Sequence, residues 1–220
     1  MKIFKIRCSA IGQIMAKPKK KTDLISKTAA GYCEQWLKEE IYNRKKSFTS
    51  KFTDKGLIME DHSIDFISNH FGYSELTKNE DYFENDFLTG TPDIVLKDCI
   101  LELKNSWDCF TFPLFDDIEQ INKAYYYQTQ GYMMLTGLNE AKLIYTLMDT
   151  PYHLIEKEYK YSQNNYLEFN EFEKHYLYNE IKPKHRIKTF EIKKDQEVID
   201  SIIERVKACR NYIEILKNKL

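Results

Sequence analysis

The segment Asp86-Phe-Leu-Thr-Gly90-Thr-Pro-Asp93-Ile-Val-Leu-Lys-Asp98-Cys-Ile-Leu-Glu102-Leu-Lys104-Asn-Ser-Trp107 holds two short apolar runs on either side of a Lys97-Asp98 pair. The runs, Ile94-Val95-Leu96 and Cys99-Ile100-Leu101, with so short a polar break between them, predict a tight hairpin. Asp93 stands where the first strand begins, just after a Gly-Thr-Pro turn. Glu102 and Lys104 are two apart on the second strand, so both point to one face. Two carboxylates and an ammonium then converge on one side of a small sheet. Burying them costs several kcal/mol unless a cation or tight pairing compensates. Hard oxygen ligands at this density suit Mg²⁺ or Mn²⁺. Taken alone, the segment favours a solvated cross-strand ion pair. The rest of the chain has to decide.

With 220 residues, the chain fits one domain with a full-sized core. It has no apolar run long enough for a bilayer and no secretory pattern at Met1-Lys-Ile-Phe-Lys5, which predicts a cytoplasmic protein without a membrane span. The five cysteines, at 8, 33, 99, 109 and 209, are scattered and odd in number. They read as reduced thiols, neither a disulfide framework nor a zinc ribbon. Cys99 and Cys109 are expected to be small buried apolar groups. The net charge of −1 hides an asymmetry: residues 1–55 hold 14 Lys/Arg against 5 Asp/Glu, a balance of +9, and the remainder is −10. A basic front on an acidic body suits a polyanion-binding face beside a carboxylate site, although lysine-rich runs are more often simply solvated.

From the start, Ile6 to Met15 is a short apolar segment in which Ser9 can cap a helix beginning at Ala10. Such a helix end with a free hydroxyl would also suit a phosphate. Lys17-Pro-Lys-Lys-Lys21 follows as a basic loop. Helical spacing of Leu24, Ala29, Tyr32, Trp36, Leu37 and Ile41 predicts a long helix from Thr22 to Arg44. A second helix is expected from about Thr53 to Asn69, with Leu57, Ile58, Ile64, Phe66 and Ile67 on its apolar side and Glu60 within it, stopped at Phe71-Gly72. Tyr73 to Phe83 reads as an edge strand leading into the hairpin, and Phe110 to Phe115 as an aromatic loop. A third helix spans Asp116 to Thr136, closed by Gly137. Ala141 to Met148 is a buried strand, Pro151 to Tyr178 is helical with a break near Asn164-Asn165, Ile187 to Ile192 is a last strand, and Asp195 to Leu220 a closing helix. That order predicts an α/β fold with a mixed sheet between helices, the long helix allowing a right-handed crossover.

Glu60 precedes the hairpin, and Gln128-Thr-Gln-Gly-Tyr132 follows it on one helix face, since residues four apart are neighbours. In this arrangement the sequence resembles the PD-(D/E)xK nuclease superfamily, and within it the lambda-exonuclease-like, YqaJ-type viral recombinases. Pro92-Asp93 and Glu102-Leu103-Lys104 match the name-giving motif, Gly56-Leu-Ile-Met-Glu60 the helical acidic motif, and Gln128-x-x-x-Tyr132 the Q-x-x-x-Y motif. Cys8-Ser9-Ala10-Ile11 through Ala16-Lys17-Pro18 is similar to the serine segment used at a DNA 5′ end. The likeness runs over roughly residues 7 to 210, in the order the family requires. No second arginine for a 5′-phosphate is evident, Arg7 being only two residues before Ser9, and Cys209 stands alone where iron–sulfur relatives cluster cysteines, so no iron–sulfur cluster is expected.

The resemblance implies a restriction-endonuclease-like core over residues 1–220 as a single domain. It implies Mg²⁺, with Mn²⁺ as a substitute, held by Asp93, Glu102 and the Leu103 carbonyl, with Glu60 bound directly or through water. Lys104 would orient or deprotonate the attacking water, and Gln128 would position Lys104 or the scissile phosphate. Ser9, Lys17, Lys19, Lys20, Lys21 and Tyr132 would face DNA, although a core tyrosine reads Tyr132 equally well. His62 reads as a surface residue and Tyr125-Tyr126-Tyr127 as packing. The activity implied is digestion of linear duplex DNA from the 5′ end in phage-type recombination in a bacterial host. Double-stranded DNA ends would be the partner, with room for a single-strand annealing protein and a homo-oligomeric ring. A restriction-like endonuclease and a non-cleaving DNA-end-binding protein are the alternatives.

Overall fold

A computed structural model describes residues 2–20, 22–47, 49–162 and 167–220. The expected hairpin is present: β4 (Ile94–Val95) pairs antiparallel with β5 (Ile100–Asn105), Ile94 opposite Leu101. The Leu96 N–H donates to the Cys99 carbonyl at 2.9 Å, closing the turn around Lys97-Asp98. β5 continues a mixed sheet, running parallel to β6 (Glu140–Thr146), which pairs antiparallel with β7 (Ile187–Lys193). The β5–β6 crossover passes through α4 (Lys123–Thr136), as a parallel pair requires.

Alternation along β5 divides the two faces of this sheet. Leu101 and Leu103 pack with Ile94, Ile144, Ile64 and Ile67 against α3 (Lys51–Phe71). Ile100 joins Leu143 on the other face, under α4 and α7 (Gln196–Lys217). Glu102 and Lys104 share parity with Ile100 and lie on that second face. In α7, Ile199, Ile202, Val206, Cys209 and Ile213 form the buried stripe. The central mixed sheet flanked by helices is therefore the fold that the order of elements predicted.

A second sheet was not anticipated. β1 (Ile6–Arg7) runs parallel to β3 (Leu88–Gly90), which pairs antiparallel with β2 (Phe83–Glu84). These pieces are two or three residues long, too short to show a period. The expected edge strand from Tyr73 shrinks to β2. The preceding stretch is irregular because its backbone is engaged sideways: Asn79 donates from its N–H to the Asp93 carbonyl at 2.7 Å and from its side chain to Pro92.

α2 (Lys27–Tyr42) begins five residues later than expected, after Ser26 caps it by accepting from the Ala29 N–H. α3 starts at a Ser50/Thr53 capping box and stops at Gly72, in the left-handed region at φ 73°. Its apolar side is narrower than predicted: Ile64 and Ile67 are buried, while Leu57 is 74% exposed and Ile58 is also exposed. Instead, Lys55 enters the interior and donates to the carbonyls of Trp107 (3.0 Å) and Met148 (2.7 Å), with its pKa pulled down to about 7 by burial.

The third expected helix is divided into a 3₁₀ turn at Ile118–Gln120 and α4, which starts after the Asn122 cap. α5 (Tyr152–Tyr161) and α6 (Phe169–Glu173) replace the longer helical region, and the break expected near Asn164-Asn165 lies outside the described residues. All five cysteines are free thiols; Cys99 is half-buried and Cys109 exposed, not the buried groups expected. Cys109 sits in the loop after β5, where Phe110 also points outward. No helix among the described residues is long and apolar enough to cross a membrane.

Close approach fixes α4 against the chain's start, which includes α1 (Ile11–Met15). A Cβ on Gly131 would lie 2.6 Å from Ile11 Cδ1 and 2.9 Å from Cys8 Sγ, and one on Gly90 would lie 2.7 Å from the Tyr132 ring. Gly131→Ala should therefore destabilise the protein by about 1–3 kcal/mol through overpacking, despite a gain in helix propensity of up to ~1 kcal/mol. Denaturant unfolding would measure this, and unchanged or increased stability would show that the contact yields freely.

Candidate active site

Glu102 is only 1% exposed, held in mid-sheet by β5. Its Oε1 accepts from Lys104 Nζ at 2.5 Å and from Gln128 Nε2 at 2.6 Å. Gln128 reaches it from α4 and also bonds the Tyr132 hydroxyl at 3.1 Å, so the four-residue spacing brings both side chains to one place. α4 is fixed in turn by Gln130, which donates to the Lys193 carbonyl and accepts from the Asp195 N–H, each at 2.8 Å. Extending the Ile94–Leu101 register by one residue sets Asp93 opposite Glu102. Asp93 Oδ2 accepts from the Leu103 N–H at 2.7 Å, which pins it to the hairpin.

This crowding has electrostatic consequences. The Asp93 carboxyl is pushed up to about 8, first by burial and then by the neighbouring Glu102 charge; Glu60 adds to the shift, and Lys104 and the Leu103 N–H partly counter it. Burial alone would pull Lys104 down, but Glu102 and Asp93 outweigh it and raise the ammonium above its ordinary value. Lys104 thus carries its proton at neutral pH. Its Nζ also lies 4.8 Å from the centre of the Tyr125 ring, a cation–π contact that gives the first residue of the Tyr125–Tyr127 run a place at the site. Next along β5, Asn105 Oδ1 accepts from Ser63 (2.7 Å) and Thr146 (2.8 Å), tying the strand to α3 and β6.

Among the described residues, no three His, Cys, Asp or Glu side chains are gathered as a ready metal-ligand set. Glu60 adds the smallest share to the rise in the Asp93 pKa, and its own Oε2 is 2.7 Å from Lys78 Nζ. The donors that remain still fit a hard cation. Glu102 Oε2 is buried without a hydrogen-bond partner, and on the paired residue Asp93 a second carboxyl is already pushed toward its neutral form, first by burial and then by Glu102. Mg²⁺ characteristically takes one or two protein carboxylates and fills its other positions with water and substrate oxygens.

Ser9 is not a helix cap. It sits within a 3₁₀ turn at Cys8–Ala10 without a side-chain capping bond, and Ala10 precedes α1. The chain leaves β1 directly into this turn. Ser9 instead lines a cleft of about 340 Å³ with Arg7, Lys45, Thr89, Thr91 and Tyr132. The Tyr132 ring is buried, with its pKa raised by burial and then by Glu102, and it is the residue shared by the cleft and the carboxylate cluster. Lys17, Lys19 and Lys20 are exposed on the stretch after α1 and do not line this cleft, and Lys21 lies outside the described residues. Sequence reasoning missed Lys45 and Lys78 and left Arg7 without a partner. All three sit on irregular stretches or a two-residue strand, where spacing carries no signal.

The raised Asp93 pKa sets a stability prediction. Between its unfolded value near 3.8 and about 8, the folded protein holds a proton at Asp93 that the unfolded chain has lost. Stability attributable to this residue therefore falls as pH rises through that window. Asp93→Asn should gain thermal stability over the parent without divalent ions, by little near pH 4 and by most at pH 8 and above. Lys55 titrates in the opposite sense, but it is common to both proteins and cancels in the difference. Melting temperatures in a chelator across pH 4–9 measure this, and a pH-independent difference would contradict it.

No family model matches the chain, and neither does any curated protein. Solved structures do match. A phage-related exonuclease from Haemophilus somnus 129PT is 31% identical, over 99% of this chain and 97% of that one, with a TM-score of 0.84. An alkaline exonuclease from Laribacter hongkongensis shares the fold at 15% identity, covering 98% of this chain and 92% of that one, with a TM-score of 0.66. The same exonuclease in complex with dAMP gives a TM-score of 0.67 at the same identity and coverage. By its 31% identity to the Haemophilus protein over nearly the whole of both chains, this chain belongs to the phage-related exonucleases.

Proposed function

We propose that this chain is a PD-(D/E)xK-type, Mg²⁺-dependent exonuclease that hydrolyses linear double-stranded DNA from the 5′ end. The observation that carries the reading is the buried, unpartnered Glu102 Oε2 beside Asp93, with Lys104 and Gln128 on the other oxygen. A carboxylate oxygen left without a donor inside a protein is costly unless something positive completes it. Asp93, Glu102 and the Leu103 carbonyl would hold the ion, with Mn²⁺ as a substitute, and when bound it supplies charge stabilisation for the phosphoryl oxygens and a more acidic water.

The chain's own groups do the rest. Lys104 is protonated in the free protein, so it orients water and offsets phosphate charge as a cation and does not serve there as a general base. Gln128 holds Glu102 in place, and its second bond, to Tyr132, links that grip to the wall of the cleft. Arg7, Lys45 and the Ser9 hydroxyl give the cleft two cations and a neutral donor, the chemistry that a terminal phosphate needs. Lys17, Lys19, Lys20 and Lys21 add charge toward the duplex backbone without reading bases. Under this reading the protein processes DNA ends in phage-type recombination in the host cytoplasm. A single-strand annealing protein would take the 3′ strand it leaves, and a homo-oligomeric ring is one way to stay on the duplex.

Two measurements test this. Asp93→Asn and Glu102→Gln should each reduce digestion of end-labelled linear duplex by more than the ~10–100-fold typical of residues behind a metal ligand, and closed circles should resist the parent protein. Cleavage of circles, or parental rates in either variant at saturating Mg²⁺, would defeat the assignment. Separately, Ser9→Ala and Arg7→Gln should narrow the preference for a 5′-phosphorylated end over a 5′-hydroxyl end with little effect on stability. An unchanged preference would mean that the cleft does not hold the terminal phosphate.

A further inference from the structure

The loop between β5 and α4 exposes aromatic side chains on a backbone that is firmly held. Asp108 accepts from the N–H groups of Phe110 (3.1 Å) and Thr111 (2.8 Å), and the Cys109 N–H donates to the Tyr178 hydroxyl at 3.0 Å. Phe112 is buried in a cluster with Leu147 and Tyr178. Asp117 and Gln120 then close the following 3₁₀ turn with a reciprocal capping box. On this frame Phe110 is 87% exposed, Phe115 89% and Ile118 50%. The charge of the stretch is one-sided. From Asn105 to Asn122 it holds four acids, Asp108, Asp116, Asp117 and Glu119, and no lysine, arginine or histidine. Among the described residues, Asp116, Asp117 and Glu119 enter no ion pair.

We propose that this loop is a docking surface for a basic polypeptide segment of another protein. Phe110, Phe115 and Ile118 take its apolar side chains, and Asp116, Asp117 and Glu119 take its lysines or arginines. Charge decides the class of occupant. A stretch with four carboxylates and no cation repels the phosphates of nucleic acid. A second copy would have to offer its basic front, residues 1–55 at +9, which the proposed function commits to the duplex. Exposed aromatic groups are the usual anchors of protein–protein contacts, and a loop that is already ordered loses little freedom on docking. The position also matters. The Phe112 cluster that anchors the loop has Tyr145 packed against it, whose ring centre is 6.2 Å from that of Tyr125, and Tyr125 lies 4.8 Å from Lys104 Nζ. A segment docked here is held two ring contacts from the active site.

The test is fluorescence anisotropy on the full chain with a labelled amphipathic peptide of leucine and lysine. A leucine–glutamate peptide of the same pattern is the control. The parent should bind the lysine peptide, and the glutamate peptide about tenfold more weakly or worse. Phe110→Ser with Phe115→Ser should weaken binding of the lysine peptide about tenfold or more, as removal of anchor side chains does. Asp117→Asn with Glu119→Gln should flatten its salt dependence. Both double variants change exposed groups, so melting temperature and digestion of linear duplex should keep their parental values. Failure of the parent to bind the lysine peptide, equal binding of the two peptides, or a phenylalanine variant that binds like the parent overturns the proposal. Sedimentation velocity on the protein alone tests the other occupants. Self-association that is lost with Phe110 and Phe115 would give the face to a second copy, and loss of duplex affinity in the same variant would give it to DNA; either result overturns the proposal.

Discussion

Glu102 is a carboxylate enclosed in the middle of a four-stranded sheet, almost wholly covered by its neighbours. An isolated charge in such a place would cost several kcal/mol or take up a proton. Here one oxygen receives two donors, Lys104 from its own strand and Gln128 from the crossover helix. Much of the surrounding architecture follows from delivering those donors. The amide of Gln128 arrives only because α4 lies tight on the Cys8–Ala10 turn and on β3, and those approaches leave no room for a Cβ at Gly131 or Gly90. The helix is then prevented from sliding by Gln130, which reads the backbone of the β7–α7 connection.

The compensation is incomplete, and its incompleteness has a direction. Lys104 gains from both carboxylates and holds its proton more firmly, whereas Asp93 is driven toward its neutral form by burial and by Glu102. One ammonium cannot satisfy two or three carboxylates at once. The remaining negative charge is a standing demand for a further cation, and two parts of the molecule meet it differently. At Glu60 the demand is met from within, by Lys78. At Glu102 Oε2 it is unmet by any protein group. Sites that destabilise their own fold in this way are where stability is commonly exchanged for activity.

The hairpin, the parity of Glu102 and Lys104, and the shared helix face of Gln128 and Tyr132 were legible in sequence because each is a matter of period: two in a strand, close to four in a helix. The long helices were legible for the same reason, with ends displaced by a few residues where Ser26, Ser50 and Asn122 act as caps. The three-stranded sheet had no such signature. Its longest strand is Leu88–Gly90, and its pairing with Ile6–Arg7 spans 82 positions of register. Ser9 has the composition of a cap, but the backbone forms a 3₁₀ turn there without a side-chain capping bond, and Ser9 lines the cleft instead. Leu57 and Ile58 obeyed helical periodicity and are nonetheless exposed, because α3 meets the sheet only over its later turns, at Ile64 and Ile67. Lys78 was invisible for a simpler reason: its partner is 18 residues away, across a helix end and an irregular loop.

The unanticipated sheet also relates the two halves of the site. β1 ends at Arg7, and its parallel partner β3 ends at Gly90, so the basic groups before the Cys8–Ala10 turn and the chain leading to Asp93 leave the sheet side by side. Gly90 admits the Tyr132 ring between them, and that ring carries a hydroxyl bonded to Gln128, the residue that steadies Glu102. The Arg7–Ser9–Lys45 cleft therefore shares a wall, the Tyr132 side chain, with the group that holds Glu102. Under the proposed function, in which the cleft takes the terminal phosphate, the bond that is cut would be specified by its distance from the terminus, and a buried tyrosine would set that distance more sharply than exposed lysines could.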